Sequence, residues 1–150
     1  MSWTPKKLKW VLSWLFGPYL GAAIQIQKVS NDWKYLKVIM KQKFYNNNAY
    51  NTHFGGSLYS MVDPHYVLML INILGRDYIV WDKSASIDFI KPGKGTVMAE
   101  FRVTTKIIEE IKSHTKNGEK YLPEFEVDIK NSKGELVAKV HKTLYVRLKK

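Results

Sequence analysis

Asn48-Ala49-Tyr50-Asn51-Thr52-His53-Phe54-Gly55-Gly56-Ser57-Leu58-Tyr59-Ser60-Met61-Val62-Asp63-Pro64 is the stretch whose reading decides the fold. Three asparagines from Asn46 to Asn48 end a strand pattern, and a loop runs from there to Gly55-Gly56. From Ser57 to Leu74 the chain is apolar on nearly every face, and Gly75 stops it. A helix that is apolar all round must be buried on several sides, so the pattern predicts a long central helix. Two features of that helix carry chemistry. A double glycine at its start exposes backbone N–H groups at the positive end of the helix dipole. Such donors can hold a carbonyl oxygen as it gains negative charge. The plainer reading of Gly55-Gly56 is close backbone packing at a helix start. Asp63 is a carboxylate within apolar surroundings, where an acid is rare unless paired or functional. Its plainer reading is a cap on a helical turn begun by Pro64.

Working outward, Pro5 to Phe16 reads as an amphipathic helix ended by Gly17-Pro18, with Trp3, Trp10 and Trp14 near one face and Leu8, Val11, Leu12 and Leu15 nearby. Ala22–Val29 and Trp33–Phe44 follow as strands joined by Ser30-Asn31-Asp32. After the central helix come strands over Asp77–Lys91 and Thr96–Thr105, joined by Pro92-Gly93-Lys94-Gly95. A short helix, Lys106–Ser113, fills a connection. The last two strands alternate most clearly. Phe125, Val127 and Ile129 oppose Glu124, Glu126, Asp128 and Lys130. Leu136, Ala138, Val140, Leu144 and Val146 oppose Lys139, His141 and Arg147. Strands with one buried and one wet face argue for an antiparallel sheet, and one buried helix among them argues for a sheet curled around it, an α+β arrangement.

The chain has 150 residues and is 45% apolar, which favours one domain with a sizeable core over residues 1–150: an N-terminal helix over 1–17 and a core over 18–150. It has no cysteine, so neither disulfides nor thiolate metal sites are expected, and a reducing, cytoplasmic setting suits it. The four histidines show no metal-ligand spacing, so no metal is expected. No segment reads as a signal peptide or a transmembrane helix. The net charge of +11 draws polyanions. The lysines are scattered along strands, as on ordinary solvated faces, and no nucleic-acid-binding motif accompanies them, so no nucleic-acid partner is expected.

Spacing adds a constraint on assembly. Eight residues of helix separate Gly55 from Asp63, roughly 12 Å at about 1.5 Å of rise each. One carbonyl group cannot touch both ends of that span. A helix meeting its two-fold mate antiparallel brings Asp63 of one chain beside Gly55 of the other, so the expected unit is a homodimer with two sites. Pairing of dimers into tetramers stays open.

The segment resembles the active-site signature of phenylacetate-pathway (PaaI-like) hotdog thioesterases: an Asn, a loop, His-Gly-Gly, then an Asp seven residues after the second Gly. Asn48, Gly55, Gly56 and Asp63 fall on that spacing. A less characterised branch of the same superfamily, a domain family of unknown function, is more similar still. That similarity runs through Asn31-Asp32-Trp33, Thr52-His53-Phe54-Gly55-Gly56-Ser57, Asp63-Pro64, Tyr78 to Lys83, Lys91 to Thr96, and Leu144 to Arg147. The resemblance implies a hotdog fold, an antiparallel sheet wrapped around a long central helix, with the N-terminal helix as an addition. It implies hydrolysis of an acyl thioester such as an acyl-CoA, coenzyme A entering as part of the substrate and no cofactor being needed. Asp63 would be nucleophile or general base, the Gly55 N–H would polarise the carbonyl, and Asn48 would orient substrate or water. Gly56, His53, Phe54 and Asn51 would contact the substrate.

The chain departs from the better-known pattern at four places. Phe54 stands in the histidine slot, His53 lies one residue early, Asn51 replaces a usual glycine, and Pro64 follows the acid. These departures keep a second function open: a hotdog module that binds an acyl-CoA or lipid without cleaving it. Asn48 also reads as a turn residue, His53 as a loop hydrogen-bonder, and His65 as a packed or partner-facing residue. Tyr50, Tyr59, Tyr66 and Trp81 read as core, and Lys83, Lys91 and Lys94 as candidates for coenzyme A phosphates. The N-terminal helix either docks on protein or lies on an anionic membrane surface, lysines at the headgroups and tryptophans below.

Overall fold

A computed structural model of the protein describes residues 3–149; residues 1, 2 and 150, at the ends of the expected domain, lie outside the described residues. Helix α1 spans Pro5–Trp14, helix α2 Gly17–Ala22, strand β1 Ile24–Val29 and strand β2 Tyr35–Lys41. Helices α3 (Gly55–Ser60) and α4 (His65–Leu74) follow, then β3 (Tyr78–Phe89), β4 (Thr96–Arg102) and α5 (Thr105–Thr115). Strands β5 (Lys120–Tyr121), β6 (Glu124–Asn131) and β7 (Leu136–Leu148) complete the chain. The strands form one antiparallel sheet in the order β1-β2-β4-β6-β7-β3, with β5 paired to β7. The α+β class expected from the alternating strands is the one observed.

The inner face follows from period-two patterning carried in register from strand to strand. Leu36 faces Phe101, Val38 faces Ala99, Met40 faces Val97, and Val127 faces Val140, all of them buried. Against this face lies α4, whose Tyr66 stacks on Phe125 with ring centroids 4.0 Å apart and meets Phe101 edge-on at 5.3 Å.

The expected long central helix is two helices. Proline has no N–H to donate and its ring crowds the carbonyl four residues back, so Pro64 breaks the run. Met61 to Pro64 form a turn, and α4 restarts at His65. The N-terminal boundary also differs. Helix α1 ends at Trp14, before the expected Gly17-Pro18, and Pro18 sits in the first turn of α2, a position that suits a residue without an N–H. Ala22 therefore ends a helix rather than opening a strand, and β2 is shorter than the expected Trp33–Phe44.

The two sheet edges are treated differently. Helix α1 lies over the β1 edge: the Ser13 hydroxyl accepts from the Ile26 N–H at 3.0 Å, and Lys9 Nζ donates to the Gln27 carbonyl at 2.9 Å. Strand β3, twelve residues long, ends the sheet with its outer edge unpaired among the described residues. Its pairing with β7 slips by one residue between Asp82 and Ser84, a bulge at Lys83. No helix of the described residues is long and apolar enough to cross a membrane.

Helix α1 separates its two faces. Leu8 and Leu12 are buried, whereas Trp10 and Trp14 stand more than half exposed (57% and 58%). Truncating Leu8 to Ala should cost about 2–5 kcal/mol of unfolding free energy through the cavity it leaves. Trp10→Ala should change it by only about 0.5 kcal/mol or less. Denaturant titration of both variants checks this, and equal losses would contradict the observed facing.

Candidate functional site

The loop before α3 is built from its own asparagines. The Asn48 carboxamide is spent locally: Oδ1 accepts from the N–H groups of Tyr50 (2.9 Å) and Thr52 (3.2 Å), and Nδ2 donates to Thr52 Oγ1 at 2.9 Å. Asn51 has φ 55°, in the left-handed region. A non-glycine residue enters that region most readily when it is Asn, which is why Asn serves where the related pattern has Gly. His53 is buried. Its N–H donates to the Gly93 carbonyl at 2.9 Å, and its ring Nε2 lies 2.7 Å from the Gly95 carbonyl. It thus ties the loop to the 92–95 turn. Burial pushes its pKa down, opposed by the Gly95 carbonyl.

Phe54 caps α3 with no side-chain hydrogen bond and is exposed. The amide groups of Gly55 and Gly56 find no acceptor among the described residues, as befits the first turn of a helix. At both glycines a Cβ would meet the far end of an exposed aromatic ring, which would have to shift. A Cβ on Gly55 would lie 3.0 Å from the Phe89 ring, and one on Gly56 only 2.5 Å from the Phe54 ring. Gly55, Asn48, His53, Phe89, Lys91 and Lys94 line one groove of about 580 Å³.

Asp63 lies elsewhere. It lines a smaller groove of about 260 Å³ with Phe16, Pro18, Tyr19, Tyr59, Ser60 and Pro64. Within one chain the candidate oxyanion donor and the candidate acid therefore open on different grooves. The Asp63 side chain is about half exposed (47%). Its Oδ1 accepts from the Tyr59 hydroxyl, one helical turn earlier, at 2.8 Å. Burial first, then that bond to Asp63, push the Tyr59 pKa up.

Beneath Asp63 lies a residue that the sequence reading passed over. The Lys142 side chain has no exposure at all, and Nζ sits 2.8 Å from Asp82 Oδ1, 2.5 Å from the Asp63 carbonyl and 3.5 Å from Asp63 Oδ1. Its strand supplied the signal. Val140, Leu144 and Val146 point inward, and position 142 falls in the same phase. Asp82 carries a raised pKa because it is partly desolvated, an effect that Lys142 opposes. Next to the cluster, His65 is fully enclosed, with Nε2 2.7 Å from the Tyr19 hydroxyl. Burial first, then the Lys142 charge, push its pKa down to about 3, so it stays neutral. His65 is thus packed, one of the readings open from the sequence. Tyr66 is core as expected, Tyr59 is half-buried, and Tyr50 and Trp81 are exposed rather than core.

Comparison with known proteins adds the following. Residues 5–146 match a family described as a domain of unknown function, DUF4442. No curated protein matches the chain. Among solved structures, a Pseudomonas aeruginosa protein of unknown function, a probable thioesterase, superposes with a TM-score of 0.82 at 18% identity, over 99% of this chain and 98% of its own. A Haemophilus influenzae thioesterase superposes with 0.70 at 14% identity, over 99% and 93%. The E. coli PaaI protein from the phenylacetic acid degradation operon gives 0.58 at 15% identity, over 85% and 81%. At such identities the likeness concerns the fold, and the fold is the hotdog type that the resemblance implied.

The neutral, enclosed His65 has a consequence for stability. Its pKa is about 3 when folded against an ordinary value of 6.5, so between those limits the unfolded chain binds the extra proton. The His65 contribution is fully present above about pH 6.5 and is lost as pH falls toward 3. Denaturation midpoints between pH 7 and 4 should fall less steeply for His65→Gln than for the unmutated protein. Parallel slopes would remove His65 as the cause.

Proposed function

The chain belongs to the DUF4442 family, and we propose that it hydrolyses an acyl thioester, such as an acyl-CoA, at sites shared between two copies. The observation that carries this is the separation just described. Gly55, with its free N–H, lines one groove and Asp63 another, so a site using both draws them from different chains. The unpaired β3 edge offers a surface for a second copy to continue the sheet. Probable and assigned thioesterases among the structural neighbours support the same chemistry.

In this reading the Gly55 N–H, with help from Gly56, polarises the thioester carbonyl. Asp63 of the other chain attacks it or draws a proton from the attacking water. Asn48, its carboxamide committed to the loop, holds the geometry that presents Gly55. His53 does the same for the 92–95 turn, while Phe54 and Asn51 stand at the exposed rim. The alternative is a module that binds an acyl-CoA and leaves it whole. An aspartate whose Oδ1 already has two partners favours it.

Free-thiol release from short, long and aromatic acyl-CoAs separates the two. Asp63→Asn should lower turnover by about 100-fold or more. Gly55→Pro should do likewise, because proline suits a first helical position yet lacks the N–H. Mixing the two inactive variants should restore activity, since a mixed dimer holds one site with Asp63 and Gly55 both intact. No recovery from proven heterodimers would refute the shared site, and binding without thiol release by the unmutated protein would establish the module.

The outward side of the N-terminal segment, from α1 through α2, supports a second partner. Trp10 and Trp14 on α1, Leu15 and Phe16 between the helices and Leu20 on α2 are exposed, Lys6 and Lys7 flank them, and the chain is strongly basic. That combination fits an anionic phospholipid surface. The protein should float with phosphatidylserine-rich vesicles and stay behind with pure phosphatidylcholine. The Trp10→Ser/Trp14→Ser variant should lose flotation, and equal flotation of the variant would reject the membrane contact.

A further inference from the structure

Lys142 is the one fully buried lysine or arginine among the described residues of a chain with 24 such residues. Taking an ammonium group out of water costs several kcal/mol, so its retention calls for compensation. The compensation is local. The Asp82 carboxylate approaches from β3, and the Asp63 carbonyl from the break between α3 and α4, where Pro64 interrupts the helical bonding. The Tyr59 ring lies with its centroid 5.7 Å from Nζ. The same ammonium stands 3.5 Å from Asp63 Oδ1, which the Tyr59 hydroxyl already holds at 2.8 Å. Asp63 Oδ2 has no partner among the described residues, and the residue opens on the groove with Phe16 and Ser60.

We propose that Lys142, anchored by Asp82 and assisted by Tyr59, is the positioning residue that fixes the Asp63 carboxylate by Oδ1 and leaves Oδ2 turned to the groove as the reacting oxygen. This rests on the thioesterase reading. Lys142→Met leaves Asp82 and the Asp63 carbonyl without their donor, and removing one partner of a buried pair is destabilising, so loss of stability alone does not mark the role. What methionine cannot supply is a cation beside the acid. The other titratable groups around Asp63 do not compete for that role. Tyr19 on α2 is held protonated by burial and by Asp63, His65 on α4 is neutral, and Tyr59 on α3 donates. Asp82 supplies the counter-charge that keeps the ammonium in place.

The test uses full-length Lys142→Met, Lys142→Arg, Asp82→Asn and Tyr59→Phe, with thioester turnover followed against pH and folding followed by near-ultraviolet circular dichroism. Lys142→Met should lower kcat by about 100-fold, the scale of a misplaced reacting group, with KM little changed. The acidic limb of its pH profile should move to higher pH, because a carboxylate that loses an adjacent cation ionises less readily. Lys142→Arg should recover part of both. A folded Lys142→Met with unaltered kcat and pH profile overturns the proposal. Should that variant not fold, unshifted acidic limbs in both Asp82→Asn and Tyr59→Phe overturn it equally. If the unmutated protein hydrolyses no thioester, a carbon-13 titration of the Asp63 carboxyl still decides. A midpoint displaced by Lys142→Met upholds the positioning role while the thioesterase reading falls; an unmoved midpoint ends both.

Discussion

Pro64 sets the terms on which the centre of this protein is built. The run from Ser57 to Leu74 is apolar enough to form one uninterrupted helix. A proline at its middle removes a donor and pushes on the preceding turn, so the chain leaves helical geometry between Met61 and Pro64 and resumes at His65. A break inside a core leaves a main-chain carbonyl without its helical partner, and such a group must find another donor. Here the donor is Lys142. The ammonium then requires a counter-charge, which Asp82 provides, and the cluster closes around Asp63. Break, buried lysine and acid form one arrangement in which each part answers a cost raised by another.

How much of this the sequence disclosed follows from the kind of signal each part leaves. The antiparallel sheet was legible because Leu36, Val38 and Met40, or Phe125, Val127 and Ile129, keep strict alternation, and alternation is a local property. The spacing of Gly55-Gly56 from Asp63 was legible for the same reason. The helix break left one local sign, Pro64 as the opener of a helical turn, while hydropathy, which ignores one missing N–H, kept the pattern of a single helix. Lys142 escaped because a lysine in a strand ordinarily marks the wet face. Its phase among Val140, Leu144 and Val146 said otherwise, but the acids that make it tolerable lie 60 and 79 positions away in sequence (142 − 82 and 142 − 63), where no local pattern reaches. The facing of α1 stayed open in the sequence, because apolar residues surround most of that helix; in the fold Leu8 and Leu12 take the inner face and Trp10 and Trp14 stand outside.

The candidate site combines rigidity and incompleteness. The Asn48 carboxamide, the Asn51 Oδ1 and the His53 N–H and Nε2 bond to the loop and to the 92–95 turn, so the start of α3 is held from several sides. The free N–H groups there result from helix geometry rather than from any side chain, which is why Phe54 can differ from the related pattern without altering them. What one chain lacks is an acid on that same groove.

The extra residue at Lys83 links the surroundings of the two grooves that one chain carries. Along a regular strand, Asp82 and Phe89 are an odd number of residues apart and would point to opposite faces of the sheet. The bulge inserts one unpaired position, so Asp82 lies opposite Leu144 and Phe89 opposite Ala138, both inward-facing. One strand thereby delivers the counter-ion of Lys142 at one end and the ring that crowds Gly55 at the other. Lys83 acts as a parity switch between them. A strand one residue shorter at that point would keep its pairing at either end and still lose the coincidence, with one of the two contacts turned out to solvent.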